Sequence, residues 1–180
     1  MIPSKTQTCA SRAYWYQLPD IKPAHLLWQK AFDIYHRHYL MSKPILANQR
    51  FYPIYPKRDK DTVTMAALLN SMIVSLNLEF QRANMGLGAI EATVEEVNQI
   101  LVVNPKGLKA TIRNKLMQAL NKLGPRAVTS IFEELGASYP EDVSLDKVKT
   151  DRRELDRIIM GEILGLTDEE QLEVYRAVVD

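Results

Sequence analysis

Apolar residues recur at helical spacing through residues 62–88, TVTMAALLNSMIVSLNLEFQRANMGLG. Met65, Leu68, Leu69, Met72, Leu76, Phe80 and Ala83 share one face, so the pattern predicts a long amphipathic helix. Asp61 and Thr62 suit its start, and Gly86 suits its end because glycine tolerates positive φ. Val74 and Leu78 fall on the far side, which predicts a core helix covered from two directions. Between the apolar faces runs a stripe of amides, Asn70, Asn77, Gln81 and Asn84. Amides can pair with the edge of adenine. In helices they more commonly satisfy backbone groups of neighbouring loops.

Upstream, aromatic and aliphatic runs at residues 14–18, 25–32, 35–41 and 50–55, bounded by prolines and aspartates, predict four short strands. Pro53 lies inside the last and confines it to an edge or a bulge. Downstream, Thr93 and Glu96 have capping-box spacing, and residues 100–103 read as a short buried strand closed by Asn104, Pro105 and Gly107. From Gly107 the periodicity is helical throughout. Helices are expected at residues 108–123, 126–135 and 151–164, stopped by Gly124, Gly136 and Gly165, and a last one begins at the Thr167 to Glu170 capping box. The fold class that follows is α+β: a small mixed sheet packed on a long helix, followed by an all-helical C-terminal tail. The expected organisation is a disordered lead at 1–11, an α+β domain at 12–106 and a helical subdomain at 107–180.

Composition changes this picture in one respect. The net charge is +1, yet residues 1–60 hold ten Lys or Arg against three acids, 10 − 3 = +7, while residues 107–180 hold eleven against fourteen, 11 − 14 = −3. A basic half interleaved with Trp15, Tyr16, Trp28, Tyr35, Tyr39, Phe51, Tyr52 and Tyr55 suits a polyanion, because cations neutralise phosphates while aromatics pack or stack. The same aromatics also suit a strand core with a solvated rim of charge.

Catalytic chemistry is sparse. One cysteine, Cys9, excludes an internal disulfide and a Cys-rich zinc site, and no signal-peptide or membrane-length apolar run occurs, so a cytoplasmic protein is expected. His36 and His38 would share one face of a strand, but no third ligand has matching spacing, and no metal site is expected. There is no P-loop, nucleophile elbow or dinucleotide glycine fingerprint. Glu133, Glu134, Glu169 and Glu170 fall on predicted helix surfaces or first turns, where solvation and the helix dipole explain them.

Several segments in order carry a resemblance: Trp15-Tyr16, RFYPIYP at 50–56, ALLNS at 67–71, GLGAIEATVEEV at 86–97, ILVVNP at 100–105 and DRRELDRIIMGEILGLTDEEQLEVYRAVVD at 151–180. Together they resemble the C-terminal target-recognition region of N6-adenine-specific DNA methyltransferases, including those of prokaryotic restriction-modification systems. The resemblance spans residues 12–180. That family's Gly-rich S-adenosylmethionine motif and its Asn/Asp-Pro-Pro-aromatic motif do not occur here. Asn104-Pro105-Lys106-Gly107 begins like the latter but lacks the second proline and the aromatic, so it reads as a turn.

The resemblance implies a specificity module, either an excised portion of a larger enzyme or a separate subunit, that lacks methyl transfer by itself. S-adenosylmethionine would belong to the catalytic domain, and this chain would hold no cofactor. The expected partners are double-stranded DNA and a methyltransferase catalytic domain or subunit, without a membrane. Phosphate contacts would come from Arg12, Lys22, Lys43, Arg50, Lys57 and Arg58, and base readout from Asn48, Gln49, Gln81 and Asn84. The alternative is a protein-interaction or scaffold module that docks on the catalytic subunit without reading bases. RNA binding and a small metal-dependent nuclease are further classes, the nuclease requiring a carboxylate cluster that the sequence does not display.

Overall fold

The computed structural model describes residues 7–17, 20–32, 35–82 and 90–180. The chain is α+β, with a small antiparallel sheet on a helical layer and a helical C-terminal region. After a one-turn helix α1 (Gln7–Ala10) come β1 (Ala24–Gln29), β2 (Ala31–Phe32), β3 (His38–Ile45) and β4 (Phe51–Ile54). The sheet order is β3-β1-β4, so β1 is central and Pro53 lies on an edge strand, where its missing N–H costs no ladder bond. Residues 14–17 are not a strand. The Gln17 amide donates to the Tyr14 carbonyl at 2.9 Å, and Arg12 donates to the Gln17 carbonyl, so local turn bonds replace a ladder there.

β3 and β4 both run antiparallel to β1, so they are parallel to each other and residues 46–50 cross from one sheet edge to the other. Leu26 and Trp28 project from the inner face into the core, and Leu27, on the other face, is only 3% exposed. Tyr39 and Phe51 pack edge to face on the Leu27 side. β3 carries a wide irregularity. Leu40 pairs with Leu26 and Ile45 with Ala24, so five residue steps on β3 face two on β1, and Lys43 stands in the excess.

The expected long helix forms as two, α2 (Thr62–Leu69) and α3 (Met72–Arg82), bent by 70° at Asn70 and Ser71. Groups freed by the break find distant partners. The Met72 amide donates to Asp156 Oδ1 at 2.9 Å, and Arg152 donates to the Asn70 carbonyl. The predicted end at Gly86 lies outside the described residues. A two-residue strand β5 (Ile90–Glu91) pairs with β2, and α4 (Val94–Gln99) starts at the Thr93 and Glu96 capping box.

Residues 100–103 are not a strand. They have no strand partner, with Leu101 76% exposed while Val102 and Val103 pack on the core. α5 (Ala110–Leu123) follows as predicted. The next helix is shorter than expected, α6 (Ile131–Leu135), because Ser130 takes the Glu133 amide as its cap and residues 126–130 stay outside it. α7 (Thr150–Asp156) continues into a π-helical segment, Arg157–Ile163, and α8 (Asp168–Val179) begins at the predicted capping box. Gly136 and Gly165 terminate helices at φ 65° and 77°.

One hydrophobic cluster joins Leu26 and Trp28 of β1, Leu68 of α2 and Val74 of α3 to Leu116, Leu120 and Leu155 of the C-terminal helices. A second gathers Met72, Leu135, Met160 and Tyr175. No single helix among the described residues is long and apolar enough to cross a membrane.

Candidate functional site

The residues expected to contact DNA separate into three groups. Lys22 precedes β1, Lys43 stands in the β3 irregularity and Lys57 follows β4; the antiparallel register puts the start of β1 and the ends of β3 and β4 at one end of the sheet. Tyr55 links two of these segments by donating its hydroxyl to the Lys22 carbonyl at 2.5 Å. Asn48, Gln49 and Arg50 lie exposed in the crossover, where Asn48 Oδ1 accepts the Arg50 amide at 2.9 Å and so spends its acceptor on the turn. Elsewhere, Arg58 is committed to Asp61 at 2.6 Å, and Arg12 to its own turn. Asp61 also accepts from Arg113; the bonds from Arg58, opposed by burial, hold its carboxyl below the usual range. Gln81 belongs to α3 in the helical layer, and its Oε1 is buried without a hydrogen-bond partner. Asn84 lies outside the described residues.

The other helix amides behave structurally. Asn70 donates to the His38 and Ala66 carbonyls and accepts the His38 amide, tying the helix break to β3. Asn77 donates to the Ile73 carbonyl one turn back. The histidine pair is buried aromatic packing. His38 contacts Trp28 at 4.3 Å and His36 at 4.5 Å between ring centroids, and His36 contacts Phe32 at 4.6 Å. Burial first, and then the neighbouring His36, hold His38 well below its usual pKa of 6.5, so it is neutral. No group of three or more metal-ligating side chains occurs among the described residues.

Glu134, expected on a helix surface or first turn, lies instead at the centre of a buried ion cluster. Glu134 is 2% exposed. Arg126 grips it with both Nη atoms at 2.6 and 2.7 Å, Thr129 donates to it at 2.6 Å, and Arg152 Nε approaches at 3.4 Å. Arg126 also bonds Asp151, while Arg152 reaches the Tyr35 hydroxyl at 2.6 Å. Burial alone would raise the Glu134 pKa; the bonds from Arg126 and Thr129 and the charges of Arg152 and Arg126 bring it down to about 2. Asp156 has the opposite balance. Burial pushes its pKa up to about 6 against the opposing pull of Arg152.

A sequence signal for this cluster existed. Arg152 is in phase with Leu155 and Ile159, and Glu134 with Ile131, so each sits on the apolar face of its helix. A charge in that register demands a partner.

Beside the cluster lies a cleft of about 490 Å³ between β3 and residues 120–128, with Tyr35, Arg37, Asn70 and Arg152 among its lining side chains. A second cavity, about 330 Å³, is lined mainly by apolar residues from the α2–α3 break, residues 101–103 and the π-helical segment. Comparison of the chain with protein-family models, with curated proteins and with solved structures gives no match.

Proposed function

We propose that this chain is a duplex-DNA contact module, the target-recognition portion of an N6-adenine DNA methyltransferase or restriction-modification protein. The observation that carries the reading is the pairing of charge. Lys22, Lys43, Arg50, Lys57 and Lys60 form no ion pair among the described residues, while in the C-terminal region Lys115, Lys122, Arg153, Arg157 and Arg176 are all paired with acids. Cations left over on the sheet side are available to phosphates; of the tail's cations only Lys109 and Lys147 lack an acid partner among the described residues.

In this reading the sheet end bearing Lys22, Lys43 and Lys57 holds the backbone in register, with Gln49 and Arg50 of the crossover nearest to base edges. The catalytic partner would extrude the adenine and supply methyl transfer from S-adenosylmethionine. Fluorescence anisotropy with a labelled duplex across a salt series tests it. Affinity should fall steeply with salt, and the K43E/K57E double variant should lose binding and flatten the salt slope by roughly two phosphates' worth, while Lys109→Glu in the tail changes neither. Absence of duplex binding at low salt overturns the proposal.

One observation favours the docking alternative. Tyr14, Trp15 and Tyr16 form an exposed aromatic cluster, with Tyr14 and Tyr16 stacked at 5.5 Å. Such clusters are common interface anchors. Binding to a catalytic subunit that is insensitive to salt and lost on Trp15→Ala would favour docking over DNA contact.

A further inference from the structure

The 490 Å³ cleft beside the ion cluster lies apart from the cations assigned to DNA, and its volume suits a small molecule. Arg126 and Arg152 each direct three N–H groups to Glu134, Asp151, the Asn70 carbonyl and Tyr35, so most of their donors are already engaged within the protein. Arg37 differs. Its Nη2 donates to the Thr129 carbonyl at 2.9 Å and its guanidinium lies 5.0 Å from the Tyr35 ring centre, yet its Nε is buried with no acceptor.

His38, which also lines the cleft, is 6% exposed, and both of its ring nitrogens lack a hydrogen-bond partner. A neutral imidazole has one donor and one acceptor, so it fixes no ligand charge; the orphaned guanidinium N–H of Arg37 is what calls for an acceptor. The charges grouped here are Arg37, Arg126, Lys149 and Arg152 against Glu134, Asp151 and Asp156, 4 − 3 = +1, which favours an anion as that acceptor. Leu40, Leu123 and Val128 supply apolar walls.

We propose that this cleft binds a small anion with a flat apolar body, its carboxylate or phosphate group bonded by Arg37 and its apolar part held between Leu40, Leu123 and Val128. Guanidinium groups match both headgroups in plane and charge. The site is independent of the duplex-binding reading.

Isothermal titration of the full chain with phenyl phosphate, benzoate and inorganic phosphate tests the assignment. Saturable one-to-one binding of phenyl phosphate or benzoate is expected, and whichever binds tighter identifies the headgroup. Inorganic phosphate should bind more weakly than phenyl phosphate. Arg37→Gln should weaken binding roughly tenfold or more, the worth of a hydrogen bond to a charged group. Val128→Glu places a like charge at the rim, where Val128 is 54% exposed and its replacement leaves the core intact. It should abolish binding without changing duplex affinity, and it decides alone if Arg37→Gln does not fold. No saturable binding of either aromatic anion, equal affinity for inorganic phosphate, or unchanged affinity in Val128→Glu overturns the proposal.

Discussion

Glu134 keeps its charge in the interior only because two guanidiniums and a hydroxyl surround it. Glu134→Gln should therefore cost about 3–5 kcal/mol in denaturant unfolding, since it removes the carboxylate that the buried Arg152 pairs with and one of the two that Arg126 holds. The pH sign follows from the depressed pKa. Stabilisation from Glu134 is fully present above its ordinary value of 4.5 and is lost as pH falls toward about 2. His38 works in a higher window. Its folded pKa lies below 6.5, so the unfolded chain takes up a proton that the folded chain refuses, and stability is lost as pH falls below 6.5. His38→Phe should gain stability relative to wild type by up to about 1 kcal/mol between pH 6.5 and 5.5, read from urea midpoints at those two values. These residues were poorly legible in the sequence. Their state depends on neighbours brought by the fold: Arg152 comes to Glu134 from another helix, and Trp28 comes to His38 from another strand.

Elements defined by local chemistry were legible. The capping boxes at Thr93 and Thr167, the α5 stop at Gly124 and the left-handed stops at Gly136 and Gly165 all form where their residue types demand. The two left-handed glycines differ in surroundings. A Cβ on Gly136 would meet the Lys147 carbonyl at 2.6 Å, whereas nothing lies within 4 Å of one on Gly165. Gly165→Ala should cost only the left-handed penalty of about 1–2 kcal/mol, and Gly136→Ala clearly more, as thermal melts of the two variants would show. The helix break was not legible. Its determinants, Arg152 and Asp156, lie 82 and 84 residues from Asn70 and Met72, and local periodicity through residues 62–82 contains no sign of them. Residues 100–103 failed for a related reason: β propensity is realised only where a neighbouring strand is free to pair.

Across the whole molecule, the change from mixed to helical periodicity near residue 106 was legible, but the apolar core does not observe it. Leu26 and Trp28 share one cluster with Leu116, Leu120 and Leu155. A chain ending at residue 106 should lack the far wall of that core and show no cooperative thermal transition, whereas the full chain should melt as one unit. At this scale the sequence displays the charge asymmetry alone; which cations lack an acid partner is visible only in the fold, where most of the tail's are paired.

The bend at Asn70 and Ser71 has a kinetic meaning. Two backbone groups at the interruption are closed by α7, the Asn70 carbonyl by Arg152 and the Met72 amide by Asp156, while the Asn70 side chain grips β3. The angle between α2 and α3 is thus held from the far end of the sequence, like a joint splinted from outside. The Met72 amide proton should exchange with deuterium only when the tail detaches, at the rate of global unfolding. A mid-helix proton placed beside a break would otherwise be among the first to go.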